Sequence, residues 1–502
     1  MNSLRNPNSK IILSVLAASA MALIAICTTA SGAAEKPKSP PLRWTSCADA
    51  PGFDCATFDV PKDYSDPKAG DFHLAVTRLP ARDKKHRIGS LFVNFGGPGG
   101  TGVRTLKSNG TRLFAALNHR FDIVSWDPRG VGESTPAIDC HVDQERSGPF
   151  AQPFMTPLTV DPKKLAAQDH DYIRRCEKLN KDVLPYVSTA DTARDLDRLR
   201  QAVGDEKLTY LGLSYGTYLG VTYESMFPHS YRALALEGVL DPEQYAHNPI
   251  ALQNALSAAQ ERATGRFLQA CTADQKACHH FGGDDPGAAL DALIARLDRH
   301  PLPVGQRTLD GDDVLVALGQ GLHSKDSWGD LAAALKAAET GDGAPLRDLA
   351  DGFYGRQDDG TYRPVLDQFF AISALDQDNP ADLKSYLDAG EQSWDDFDHA
   401  YYLSGYTDYA WGSYPIDSHS AYRGPFRTAT KPVLVIGTTY DPATPYKAAV
   451  TLTHTLQNAR LITLDGDGHG AYGGESPCID DAVNRYLESK VLPPDSTHCR
   501  QE

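Results

Sequence analysis

Two hydrophobic rhythms alternate along the chain up to about residue 242 and again from about residue 430. Residues 88–95, 121–126, 208–213, 233–236, 431–437 and 459–464 are short, nearly continuous apolar runs, the pattern of strands buried on both faces. Residues 72–79 alternate apolar and polar positions instead, as a half-buried edge strand does. Between these runs the period changes: Ala193, Leu196, Leu199 and Ala202 recur at helical spacing over 189–203, with Gly204 as the stop, and another helix is expected from near Val103. Strands alternating with helices predict an α/β class fold with a mostly parallel central sheet covered on both faces.

The alternation stops from about 243 to 404. There 251–268, 288–297 and 313–322 read as helices separated by polar and acidic breaks. Because strand signals resume afterwards, this segment is expected to be a mainly helical lid inserted into one core, dividing it into 35–242 and 405–502. The chain shows no internal repeat, and residues 35–60 read as a proline-rich lead-in.

Candidate chemistry lies at the strand ends. The run Tyr210-Leu211-Gly212-Leu213 stops at Ser214, which is followed by Tyr215-Gly216, so the serine sits between two glycines at a strand-to-helix junction. A tight turn there lifts a serine hydroxyl above the sheet and leaves no room for side chains at 212 and 216: a nucleophile elbow. Asp441 follows the strand at 431–437, and His469 follows the strand at 459–464. Serine, acid and histidine, in that order and each at a strand end, match the triad of an α/β-hydrolase. In that reading His469 takes the Ser214 proton during attack on a carbonyl, and Asp441 fixes the imidazole tautomer.

The glycine-rich turn Gly96-Gly97-Pro98-Gly99-Gly100-Thr101-Gly102 follows another buried strand. Gly97, Gly99 and Gly102 also match the spacing of a dinucleotide loop, a weak signal by itself. An oxyanion hole explains this loop and the elbow together, with Gly97 and Tyr215 as the N–H donors. This chemistry calls for no cofactor and no metal. The turn Asp127-Pro128-Arg129-Gly130 is read as structural, with Asp127 and Arg129 tying neighbouring loops.

Charge and cysteines place the chain. A formal net charge of -16 with no basic patch argues against nucleic acid as a partner. Arg5 and Lys10 precede an apolar run from Ile11 to Cys27 and then a small-residue stretch ending at Ala34, so 1–34 read as an export signal. The run is short for a stable membrane span, and Ile26 stands where a lipid-attachment motif needs a small residue. Eight further cysteines form four sequence-neighbour pairs, predicting Cys47 with Cys55, Cys140 with Cys176, Cys271 with Cys278, and Cys478 with Cys499. A metal site at Cys271, Cys278, His279 and His280 is the rival reading, which eight pairable cysteines disfavour.

Taken together, the glycine-rich loop, the Asp127–Gly132 turn, the elbow and Asp441-Pro442-Ala443-Thr444-Pro445 resemble the secreted tripeptidyl aminopeptidases of filamentous soil bacteria, relatives of the prolyl aminopeptidases. The resemblance spans about 42–499 and is weakest in the insertion. It implies a secreted serine exopeptidase that releases short peptides from substrates with a free N-terminus, with acidic residues near the site binding the α-amine. A secreted carboxylesterase or lipase and a non-catalytic binding protein are the alternatives. Two departures matter. Leu236-Glu237-Gly238-Val239 stands where the family has Leu-Asp-Gly-Val, making Glu237 a candidate amine anchor, and Ala374 stands where relatives often carry a cysteine.

Overall fold

The structure, a computed structural model, describes residues 39–151, 160–399, 405–414, 416, 418, 420–426 and 429–502, so the expected export signal lies outside the described residues. Among the described residues twelve strands are present: β1 Thr45–Ser46, β2 Asp54–Pro61, β3 Asp71–Leu79, β4 Gly89–Asn94, β5 Phe121–Trp126, β6 Leu208–Leu213, β7 Tyr231–Glu237, β8 Leu302–Val304, β9 Arg307–Leu309, β10 Val433–Tyr440, β11 Ala459–Asp467 and β12 Thr497–Arg500. Ten of them form one sheet in the order β1-β2-β3-β5-β4-β6-β7-β10-β11-β12. From β5 to β12 every pairing is parallel, whereas β1, β2 and β3 attach antiparallel at one end.

Burial on both faces explains the continuous apolar runs. Phe92, Val433 and Val435 enter the core on one side, while Leu91, Val93, Leu434 and Ile436 enter the core on the other. Helices Gly102–Leu113 and Pro477–Ser489 cover the second face with Leu106, Ile479 and Val483. Thr189–Ala202, Tyr215–Met226 and Tyr446–Leu456 cover the first. That first core continues into the insertion through Leu315, Leu331, Leu346 and Leu375, so the inserted helices extend a face of the sheet.

The insertion carries helices Pro249–Ala273, Pro286–Arg299, Gly311–Gly321, Trp328–Glu339, Ala344–Tyr354, Val365–Asp376 and Leu383–Asp396. It also holds the β8–β9 hairpin, which the helical periodicity hid because each strand is three residues long. β3 is not an edge strand, since β2 pairs with it from Asp71 to Arg78 and β5 flanks its other side. The acidic and proline ends of β2 mask the alternation of Phe58 and Val60, so the stretch expected as a lead-in ends in a paired strand. β12 was missed for its shortness; it is held beside β11 and joined to the last helix by Cys478–Cys499.

All four expected disulfides form, with Cα–Cα separations of 5.1, 4.6, 5.2 and 5.6 Å in chain order. They fit an oxidising compartment. Among the described residues no helix is long and apolar enough to cross a membrane.

The Asp127 turn is structural, as expected, and its two charged residues tie different elements. Arg129 is fully buried and makes a two-pronged ion pair with Asp195, at 2.7 and 2.6 Å, while its remaining donors reach the carbonyls of Pro61, Lys62 and Tyr186. Asp127 instead accepts the Val103 and Glu133 N–H groups at 2.9 and 2.8 Å, which fixes the start of the first helix.

Candidate active site

Ser214 lies between β6 and the helix Tyr215–Met226 with φ 55° and ψ −126°, a backbone conformation that costs about 1–3 kcal/mol outside glycine. The surroundings hold it there. Its N–H continues the parallel ladder by donating to Glu237 O at 2.9 Å, and its carbonyl accepts from Thr217 N and Oγ1 at 2.8 and 2.6 Å. The neighbouring glycines are required by close approach: a Cβ on Gly216 would lie 2.7 Å from Asn94 O, and one on Gly96 would lie 2.8 Å from Leu213 O and from Ser214 Cβ. Asn94, at the end of β4, also accepts the Gly96 N–H through Oδ1 at 3.0 Å.

That bond uses the Gly96 donor, and Gly97 is the next N–H along the loop, at an exposed residue with φ 111°. Tyr215 opens its helix, so its N–H is one of the orphan donors of a helix start. The Tyr215 ring is buried; its hydroxyl hydrogen-bonds Thr189 Oγ1, which in turn bonds Asp376 on the inserted helix Val365–Asp376. The same helix lies against the glycine-rich loop, where a Cβ on Gly99 would come 3.0 Å from Val365 O.

Asp441 and His469 follow β10 and β11 and meet at the sheet's upper end. His469 Nδ1 lies 2.9 and 3.0 Å from the two Asp441 carboxylate oxygens. Asp441 is 1% exposed, and its carboxylate also accepts the Ala443 and Thr444 N–H groups and the Thr444 hydroxyl, each at 2.8 Å. Thr444 was not singled out from the sequence beyond its place in the Asp441-Pro442-Ala443-Thr444-Pro445 motif; its position three residues after the acid, as in a side-chain-capped turn, was the available signal. Burial lowers the His469 pKa, but the charge and hydrogen bond of Asp441, joined by the charge of Glu237, outweigh it and leave the imidazole above its usual value.

The imidazole is also bordered by the insertion. His469 N–H donates to His323 O at 2.7 Å, and the two imidazole rings meet edge to face at 5.6 Å. Burial and the neighbouring His469 lower the His323 pKa, and a 2.7 Å bond from His323 Nδ1 to Gly319 O fixes it as the Nδ1–H tautomer. Two residues before His469, Asp467 pairs with Arg266 and Lys325 of the insertion. Nothing in the periodicity of 243–404 marked these contacts.

Glu237 is not placed as the expected amine anchor. It is 1% exposed, and its Oε1 accepts the N–H groups of Ala471 and Tyr472, the latter at 2.9 Å, so it braces the histidine loop from within. The extra methylene of glutamate over aspartate carries the carboxylate past the strand end into that loop.

Two family models match the chain: the α/β hydrolase fold over residues 93–278 and the TAP-like protein over residues 400–499. Ser214 falls in the first match; Asp441 and His469 fall in the second. The chain is 32% identical to the serine protease Hip1 of Mycobacterium tuberculosis over 97% of both proteins. It is 33% identical to carboxylesterase B of the same species, over 94% of this chain and 93% of that one. It is 30% identical to the tripeptidyl aminopeptidase of Streptomyces lividans, over 89% of this chain and 84% of that protein. With its mostly parallel sheet, its serine elbow and these likenesses over most of its length, the chain belongs to the tripeptidyl aminopeptidase family of α/β-fold serine hydrolases.

Proposed function

We propose that this protein is a secreted serine exopeptidase that releases short peptides, tripeptides first among them, from free N-termini. The observation that carries the reading is the Asp441–His469 pair at 2.9 Å, which follows β10 and β11 at their C-terminal ends, as Ser214 follows β6 at its strained elbow. His469 Nε2 takes the proton of Ser214 Oγ as that oxygen attacks the scissile carbonyl, and Asp441 keeps the proton on Nδ1. Gly97 and Tyr215 N–H groups hold the tetrahedral oxyanion, each such donor being worth roughly 3 kcal/mol. The imidazolium then protonates the leaving amine, and water, activated in the same way, releases the acyl group from Ser214. The insertion, by lying against the oxyanion loop and against His469, acts as the lid that limits how much of a peptide enters.

The peptidase reading draws on the Streptomyces relative and on the Asp441-to-Pro445 motif; the carboxylesterase relative at 33% identity keeps ester cleavage as the second reading. A tripeptide amide with a free amine, compared with its N-acetylated form and with a short-chain ester, decides between them. A strong preference for the free amine is expected. Equal turnover of both amides, with faster ester cleavage, would establish the esterase.

A further inference from the structure

Glu237 touches both halves of the proposed machinery, and the triad chemistry leaves its carboxylate unused. Its backbone carbonyl accepts the Ser214 N–H at 2.9 Å, which sets the nucleophile corner. Its side chain runs the other way, accepting Ala471 and Tyr472 N–H just beyond His469. The histidine stands between Gly468 (φ 104°) and Gly470 (φ 134°), two residues whose backbone freedom leaves the loop in need of an anchor. The His469 ring rests on the residue after Glu237: a Cβ on Gly238 would lie 3.0 Å from His469 Cε1. Glu237 Oε2 is buried and has no hydrogen-bond partner among the described residues.

Resting on the proposed triad, we infer that Glu237 is a positioning residue that fixes His469 relative to Ser214 and supplies a second negative charge to the imidazolium that forms in the transition state. The groups facing it are His469 and Asp441 from the loops after β11 and β10, and Tyr472, whose N–H it accepts; His323 lies behind His469, and Asp480 behind Tyr472. Burial, opposed by the two amide bonds and by His469, pushes the Glu237 carboxyl up to about 7, and the charge of Glu237 in turn helps hold the His469 imidazole above its usual value. A glutamate here reaches two amides; a shorter acid reaches neither without movement of the loop.

Steady-state kinetics of Glu237→Gln and Glu237→Asp as functions of pH test this, with thermal unfolding measured alongside and Ser214→Ala as control. Gln retains an acceptor for the amides but no charge. Its KM should stay within about twofold, kcat should fall roughly tenfold, and the acid limb of kcat/KM should move to lower pH because the imidazole loses a nearby anion. Asp, which keeps the charge and shortens the reach, should leave the acid limb near that of the native enzyme while kcat falls. A Gln variant with native kcat and a superimposable pH profile would overturn the inference, as would a rise in KM confined to free-amine substrates. If Glu237→Gln fails to fold, the Asp variant decides alone: native kcat overturns the positioning role. Retained activity in Ser214→Ala would sink the triad reading itself, a result separable from all of these.

Discussion

The Arg266 guanidinium, carried on an inserted helix, lies 3.6 Å over the ring of Tyr440, the residue immediately before Asp441. The same side chain forms an ion pair with Asp467, two residues before His469. One cation from the insertion therefore touches the ends of both strands, β10 and β11, from which the loops bearing the acid and the histidine start. Arg266→Ala should cost about 1–2 kcal/mol of stability, a modest figure because the side chain is a third exposed and Lys325 still faces Asp467. Its larger effect should be on kcat/KM. Thermal unfolding and kinetics on one preparation check this, and an unaltered kcat/KM would mean that the loops hold their shape without the insertion.

Gly216→Ala places a methyl 2.7 Å from Asn94 O and 2.8 Å from Asn94 Oδ1. Neither the strand end nor the helix start has room to retreat. A loss of about 1–3 kcal/mol is expected from overpacking, together with a steep drop in labelling by a serine-directed phosphonate, because Asn94 also holds the Gly96 N–H. Differential scanning calorimetry and the labelling rate measure the two effects independently.

Asp441→Asn should reduce kcat by roughly four orders of magnitude, since an amide at this position offers His469 Nδ1 either the wrong hydrogen-bond sense or no charge. Loss of Thr444 Oγ1 by Thr444→Val removes one of several bonds to the same carboxylate and should cost far less, about tenfold. Comparable losses in the two variants would contradict the roles assigned.

The acid side of the pH profile follows from His469. The imidazole must be neutral to accept the Ser214 proton, and its pKa is raised by Asp441 and Glu237 in spite of burial. Activity should therefore be lost as pH falls through a value above the ordinary histidine pKa of about 6.5. His323, held neutral, adds no charge to the site in that range. A profile whose acid limb lies below the ordinary value would show that burial, not the two carboxylates, dominates.

Arg129→Met takes the counter-ion from the fully buried Asp195, leaving it the Tyr64 hydroxyl, and should cost about 3–5 kcal/mol. Pairing it with Asp195→Leu should recover part of that loss. Chemical denaturation of the single and double variants gives the comparison.

The apolar runs of β4, β5, β6 and β10 were legible because strands buried on both faces need apolar residues at successive positions, and alternate members of each enter opposite cores. β2, bounded by Asp54 and Pro61, and β12, four residues long, were not, because their pairing depends on β3 and β11 rather than on their own composition. The cysteine pairs were legible by proximity along the chain, and the structure closes all four.

By itself the sequence determined where the core strands lie along the chain, the serine elbow and the strand ends at which Asp441 and His469 stand, since turn chemistry and burial periodicity are local properties. Only the tertiary structure decided that Arg129 pairs with Asp195, that Glu237 turns inward to the histidine loop, and that Arg266 and His323 of the insertion border the site. Those relations join residues far apart in the chain, through side-chain reach and shared burial that no local pattern encodes.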